Sequence, residues 1–276
     1  MTLPAWHLHP DAWLILGSVA FGYLALCRRH ERLTGEATPP RTRRLFLAGM
    51  SLLFVASEWP THDLAERFLY SAHMVQHMVF TLVAAPLLVA GTPAWLARAV
   101  LRPAPLRHAF GFLVRPVPAL VFFNGVLLFT HWPDVVGASV GSELTHFSLH
   151  VLIVFSGYVM WWPIVSPLPE LPPLAPPVQM LYLFLQSLAP TIPASFLTFG
   201  QEPLYPIYAT FPRIWGISAL TDQLVAGLVM KIVGGAILWG VIATVFFRWA
   251  NREQREDIDA VQWQRMEREM RPELNR

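Results

Sequence analysis

Charge is scarce in this sequence. Only 14% of its 276 residues are Asp, Glu, Lys or Arg, against roughly 25% in a soluble domain. Hydrophobic residues make up 54% and the mean hydropathy is +0.44, which argues against a soluble globular enzyme. The same figures exclude a disordered chain, because disorder goes with few apolar residues. Cys27 is the single cysteine, so there is no internal disulfide and no cysteine-rich metal site. Lys231 is the only lysine, and no basic residue precedes Arg28. The positive start of a cleaved signal peptide is therefore missing.

The apolar residues come in blocks, at about 11–27, 45–59, 68–90, 116–133, 142–164, 178–199 and 219–247. A helix needs about 20 residues to cross a bilayer, and most blocks reach or approach that; 45–59 is the weakest. The expected fold is all-α: a polytopic membrane bundle of seven transmembrane helices over residues 1–249, followed by a charged tail at 250–276.

Charge placement orients the bundle. Loop 28–44 holds six arginines, loop 91–115 holds four, and the tail from Arg248 holds seven. With seven spans all three fall on one side, leaving Arg67 and Arg213 on the other and Lys231 inside the last span. Cytoplasmic loops are rich in Lys and Arg, so the N-terminus is expected outside and the C-terminus in the cytoplasm. Removing span 45–59 would split the two arginine loops between sides, which is the reason to keep it.

Ser166–Pro177 contains six prolines and reads as a stiff, extended inner loop. Pro190 and Pro193 should break the sixth span, with Ser187, Thr191 and Ser195 near enough to satisfy freed carbonyls. The tail alternates acid and base at helical spacing, with Trp263, Met266 and Met270 along one side, as in a solvated or interfacial helix.

Ten histidines stand at 7, 9, 30, 62, 73, 77, 108, 131, 146 and 150. On the topology above only His30 and His108 are cytoplasmic. His73/His77 and His146/His150 are i, i+4 pairs, so each pair shares one helix face. At about 1.5 Å per residue, both pairs lie roughly 6–13 Å below the outer ends of their spans. His131 ends the fourth span and His62 lies in the outer loop before the third. Six histidines can thus converge on one outer region.

Polar groups within hydrocarbon are costly and tend to mark function. Neutral imidazole suits copper, zinc or iron; interhelical hydrogen bonding is the structural alternative. Met74 and Met78 each follow a histidine. Their thioethers favour Cu(I), but one residue turns about 100° around a helix, which suits plain packing. Gln76 lies between the histidines of the third span. Asp222 and Gln223 open the seventh, where Asp222 either accepts a ring N–H or simply suits a helix N-terminus.

The runs YSAHMVQHMVFTLVAAPLLVAGTPAW from Tyr70, HFSLHVLIVFSGYVMWWPIVSPLP from His146, QMLYLFLQSLAPTIPASFLTFGQEPLYPIY from Gln179 and ALTDQLVAGLVM from Ala219 together resemble the seven-span CtaG family of cytochrome c oxidase assembly factors. The resemblance covers about 70–230. It implies a non-enzymatic protein of the bacterial inner (plasma) membrane, embedded in lipid, that works with cytochrome c oxidase subunits and delivers copper to them; no nucleic-acid partner is expected. The family histidines match at His73, His77, His146 and His150, with Gln76, Asp222 and Gln223. The expected metal residues are these four histidines with His131 and His62. Rival readings are a haem carrier with bis-His ligation, an intramembrane zinc hydrolase and a scaffold without metal. The last span carries no histidine, which weakens the hydrolase.

Overall fold

The structure is a computed structural model that describes residues 9–274; His7 lies outside them. Among the described residues every regular element is helical. Among the described residues five helices are long and apolar enough to cross a membrane: Pro10–Thr34, Tyr70–Ala90, Glu143–Val165, Pro176–Phe199 and Ala219–Glu256. Ala104–Leu113 and Pro116–Thr130 make a sixth only as a pair bent by 81°. The remaining expected span is the helix Pro40–Ala56, only 17 residues long. Pro10, Pro40, Pro116 and Pro176 each open a helix; proline suits that first position because its missing N–H has no intrahelical partner there.

The bundle has two distinct ends. At one, His30 stacks on Trp95 at 4.3 Å, the Trp95 indole donates to Thr38 (3.2 Å) and Arg98 bonds Glu170 (2.8 Å). Loops 28–44, 91–115 and 166–177 therefore meet there. At the other end His9, His62, Glu66, His146 and Asp222 gather. Pro40–Ala56 links the two ends despite its length, with the Ala56 carbonyl accepting from Gln76 (2.9 Å).

The Tyr70–Ala90 helix is central, with Met74, Gln76, Phe80, Ala84, Ala85 and Val89 all buried. It crosses Glu143–Val165 closely at Gly157, where a Cβ would lie 3.1 Å from Thr81 Cα and from Ala85 Cβ. The helix after it turns away at Gly91, where a Cβ would lie 2.3 Å from the Phe46 backbone nitrogen. Only glycine fits that approach.

Residues Val79–Ala84 form a wider, π-helical turn, and the sequence explains it. The Ala85 N–H reaches back to Phe80 O. The next donor in that pattern would be residue 86, but Pro86 has no N–H. Thr81 O is left free, and the buried Trp161 indole donates to it (2.8 Å). Trp161→Phe should strand this carbonyl and cost about 1–3 kcal/mol, read as a lower midpoint of thermal unfolding in detergent; an unchanged midpoint would refute the account.

The sixth apolar block breaks between Leu188 and Thr191, as the prolines demand. Hydroxyls of Ser187, Thr191 and Ser195 bond the Phe184, Ser187 and Thr191 carbonyls. A second π-helical turn, Val229–Val233, carries Lys231, which lines a small cavity with Gln186, Ser187, Pro190 and Thr191. The last helix continues to Leu274, with Trp263 and Met266 exposed.

Candidate metal centre

The two histidine pairs lie on helices that begin side by side. Ser142 caps one start, its hydroxyl accepting from the Thr145 N–H (3.3 Å). The other start is held from outside its own helix. The buried carboxylate of Asp222 accepts from the N–H groups of Tyr70 (2.7 Å) and Ser71 (2.9 Å) and from the Ser71 hydroxyl. Asp222 also sits in the first turn of its own helix, so one charge faces the positive ends of two helix dipoles. Of the two readings of Asp222, the helix-end one is what the structure shows: its oxygens hold the backbone of the helix that carries His73 and His77.

Gln223 likewise binds backbone. It accepts from Leu204 N–H (2.5 Å) and donates to Leu197 O and Glu202 O (both 3.3 Å). This pins the loop that carries Tyr205, whose hydroxyl donates to the His131 carbonyl (2.9 Å). Burial pushes the Tyr205 hydroxyl up to about 12, so it stays protonated and keeps donating.

Between these anchors the histidines meet. His73 and His77 lie at a ring separation of 4.1 Å, and so do His146 and His150. The pairs face each other: His73 is 6.0 Å from both His146 and His150, and His77 is 5.6 Å from His150. His62 lies 5.8 Å from His146, and His9 lies 4.6 Å from His62. His73, His77, His146 and His150 line a cavity of about 210 Å³ together with Glu66, Tyr208 and Glu143.

Two ligand groups stand out. His73, His77 and His150 offer one atom each within 4.8 Å of one another, and so do His62, Glu66 and His146. In the first group His73 Nδ1, His77 Nε2 and His150 Nε2 are buried with no hydrogen-bond partner. An unpaired buried polar atom costs about 1–3 kcal/mol, so three together in one place fit a metal ion well. In the second, Glu66 Oε1 lies 3.2 Å from His62 Nε2 and 2.9 Å from His146 Nε2. Burial raises the Glu66 carboxyl, but contact with His146 and the charge of His62 outweigh it and the net shift is downward. Burial lowers His62, with Glu66 opposing. An ionised carboxylate and a neutral imidazole are the forms that ligate metal.

His131 belongs to neither group. Its Nδ1–H donates to Leu127 O (2.7 Å), its bare Nε2 is buried without a partner, and its ring stands 6.2 Å from His77. Met74 is fully buried in the main apolar core. Met78 packs there too, and it also borders a small cavity with His77 and His131. Gln76 reaches His62, donating to its Nδ1 (3.2 Å). Glu66 is the residue that reading the sequence for histidines misses. The signal was present, since His62 and Glu66 repeat the i, i+4 spacing of both histidine pairs. His9 is tied in by Asp63 (3.1 Å), across 54 residues with no local pattern to announce it.

The model of the cytochrome c oxidase caa3 assembly factor family matches residues 21–252. The chain belongs to that family. No curated protein and no solved structure matches it. In this assembly factor the matched region contains both ligand groups, the Asp222 cap and the Gln223 anchor. The first helix contributes only its second half, so His9 lies outside the match.

Proposed function

We propose that the chain serves caa3 oxidase assembly by holding a copper ion at His73, His77 and His150 and passing it to an oxidase subunit. The observation that carries this reading is that His73, His77 and His150, which bring ring nitrogens within 4.8 Å of one another, each also have a buried ring nitrogen without a hydrogen-bond partner. Imidazole suits copper; the one thiol, Cys27, is buried in the first helix among other residues and plays no part. Copper here is cargo, so the site must release it, and the cavity beside the triad gives a route.

The seven-span reading adds the setting. The seventeen arginines of two loops and the tail would face the cytoplasm of a bacterial inner membrane, and the histidine end would face outward. The contacts that join loops 28–44 and 91–115 at one end of the bundle support this count. A haem carrier is less well supported. A cavity of about 210 Å³ lies below the roughly 300–1,000 Å³ of small-molecule sites and suits an ion with water better than a porphyrin.

The test is in cells. In a strain lacking this chain, the wild-type gene should restore oxidase copper content and activity, and His77→Ala/His150→Ala should not, at equal protein level. Full restoration by the double variant would exclude the copper role and leave a scaffold.

A further inference from the structure

We infer that His62, Glu66 and His146 form a second, separate metal site at the edge of the same cavity, one that takes a divalent cation such as Zn(II). This rests on the preceding reading only for the division of labour between the two groups, not for the existence of the second site.

The geometry of the three side chains fits an ion. Three atoms from the three side chains lie within 4.8 Å of one another. Glu66 Oε1 stands 2.9 Å from His146 Nε2 and 3.2 Å from His62 Nε2, so one carboxylate oxygen faces two ring nitrogens. In the metal-free chain a ring N–H meets the carboxylate; a divalent cation there replaces that proton and is held by all three groups. The far side of His146 is fixed, with Nδ1 3.1 Å from Ser139 Oγ, the kind of outer contact that orients a ligating ring.

The two sites differ in charge. The triad is three neutral imidazoles and supplies no negative charge to an ion. The second group contains a carboxylate and only imidazole besides, the donor set of many divalent zinc sites. Position differs as well. His62 and Glu66 lie on the short helix Thr61–Arg67 before the long span, and His146 is one turn nearer the helix start than His150. The second site is therefore the outer one, and the ring contacts His62–His146 and His146–His150 place the two sites side by side.

One detail must change when the cation binds. Gln76 donates to His62 Nδ1, so in the metal-free chain the proton sits on Nε2, facing Glu66. A cation at Nε2 displaces that proton to solvent through the cavity. The ring then needs a hydrogen on Nδ1. The Gln76 NH2 then gives up its contact with Nδ1 and keeps its bond to the Ala56 carbonyl (2.9 Å).

The experiment titrates detergent-purified full-length protein with Zn(II) and, separately, with chelator-buffered Cu(I). Wild type should bind one Zn(II). Glu66→Gln should weaken Zn(II) at least about 30-fold while leaving Cu(I) unchanged, and His77→Ala should do the reverse. Unaltered Zn(II) binding in Glu66→Gln overturns the inference, as does loss of both metals together in either variant at wild-type thermal stability. Zn(II) binding that needs Glu66, in a protein that takes no Cu(I), would sustain this site and sink the copper proposal. Cu(I) binding without Zn(II) would do the opposite. If Glu66→Gln does not fold, His146→Gln carries the same comparison.

Discussion

Purified His77→Ala should lose high-affinity Cu(I), with affinity falling by about 100-fold or more, whereas His131→Ala should stay within about 10-fold of wild type. Outer contacts to a metal ligand are worth roughly 10–100-fold in affinity, and removing a ligand itself costs more. His77 is buried, stands beside both His73 and His150, and its Nε2 has no other partner. Its loss leaves two ligands and a hole. His131 stands apart, its Nδ1 already committed to Leu127 O. Competition with a Cu(I) chelator measures both. Equal losses in the two variants would show that the ring at 6.2 Å closes onto the metal, and the triad would have to be redrawn around four histidines. In either protein acidification should release copper, because protons and metal compete for the same lone pairs.

Asp222→Ala should be the most damaging single change away from the ligands, costing on the order of 4 kcal/mol. Removing the carboxylate strands the Tyr70 and Ser71 N–H groups, each worth about 1–3 kcal/mol when buried and unpaired. It also removes the charge that faces two helix N-termini. Asp222→Asn keeps one carbonyl oxygen and should recover part of the loss. Because Asp222 positions the helix that carries His73 and His77, surviving Asp222→Ala protein should bind copper more weakly, and Asp222→Asn should restore binding along with the unfolding midpoint. A variant with normal stability and weakened copper would instead argue for direct contact between Asp222 and the metal site, against the geometry. Normal values for both would show that the cap is dispensable.

Much of the site was legible in the sequence because helices make spacing into geometry. Two HxxxH pairs at equal depth had to present two ring pairs at one level, and the structure brings them to 5.6–6.0 Å of each other across the cavity. Proline positions located the break before Thr191 for the same local reason. What was not legible depended on which elements pack together. Asp222 and Tyr70 are 152 residues apart, and no local rule tells a capping carboxylate from one that orients a histidine. Glu66 had the right spacing but sat on a seven-residue helix in what reads as a loop.

The sequence by itself determined that this is an all-helical, apolar chain with its arginines in a few loops, and that six histidines fall near helix ends of one kind. Those properties follow from composition and from the 3.6-residue repeat, which are local. Only the tertiary structure decided how the six divide. It set three imidazoles around one point, gave His62 and His146 to Glu66, and held His131 back. It also made Asp222 and Gln223 backbone anchors. That division rests on close crossings such as Gly157 against Thr81 and on hydrogen bonds across more than a hundred residues. Distances of that kind are fixed by packing between helices, and no single helix's sequence contains them.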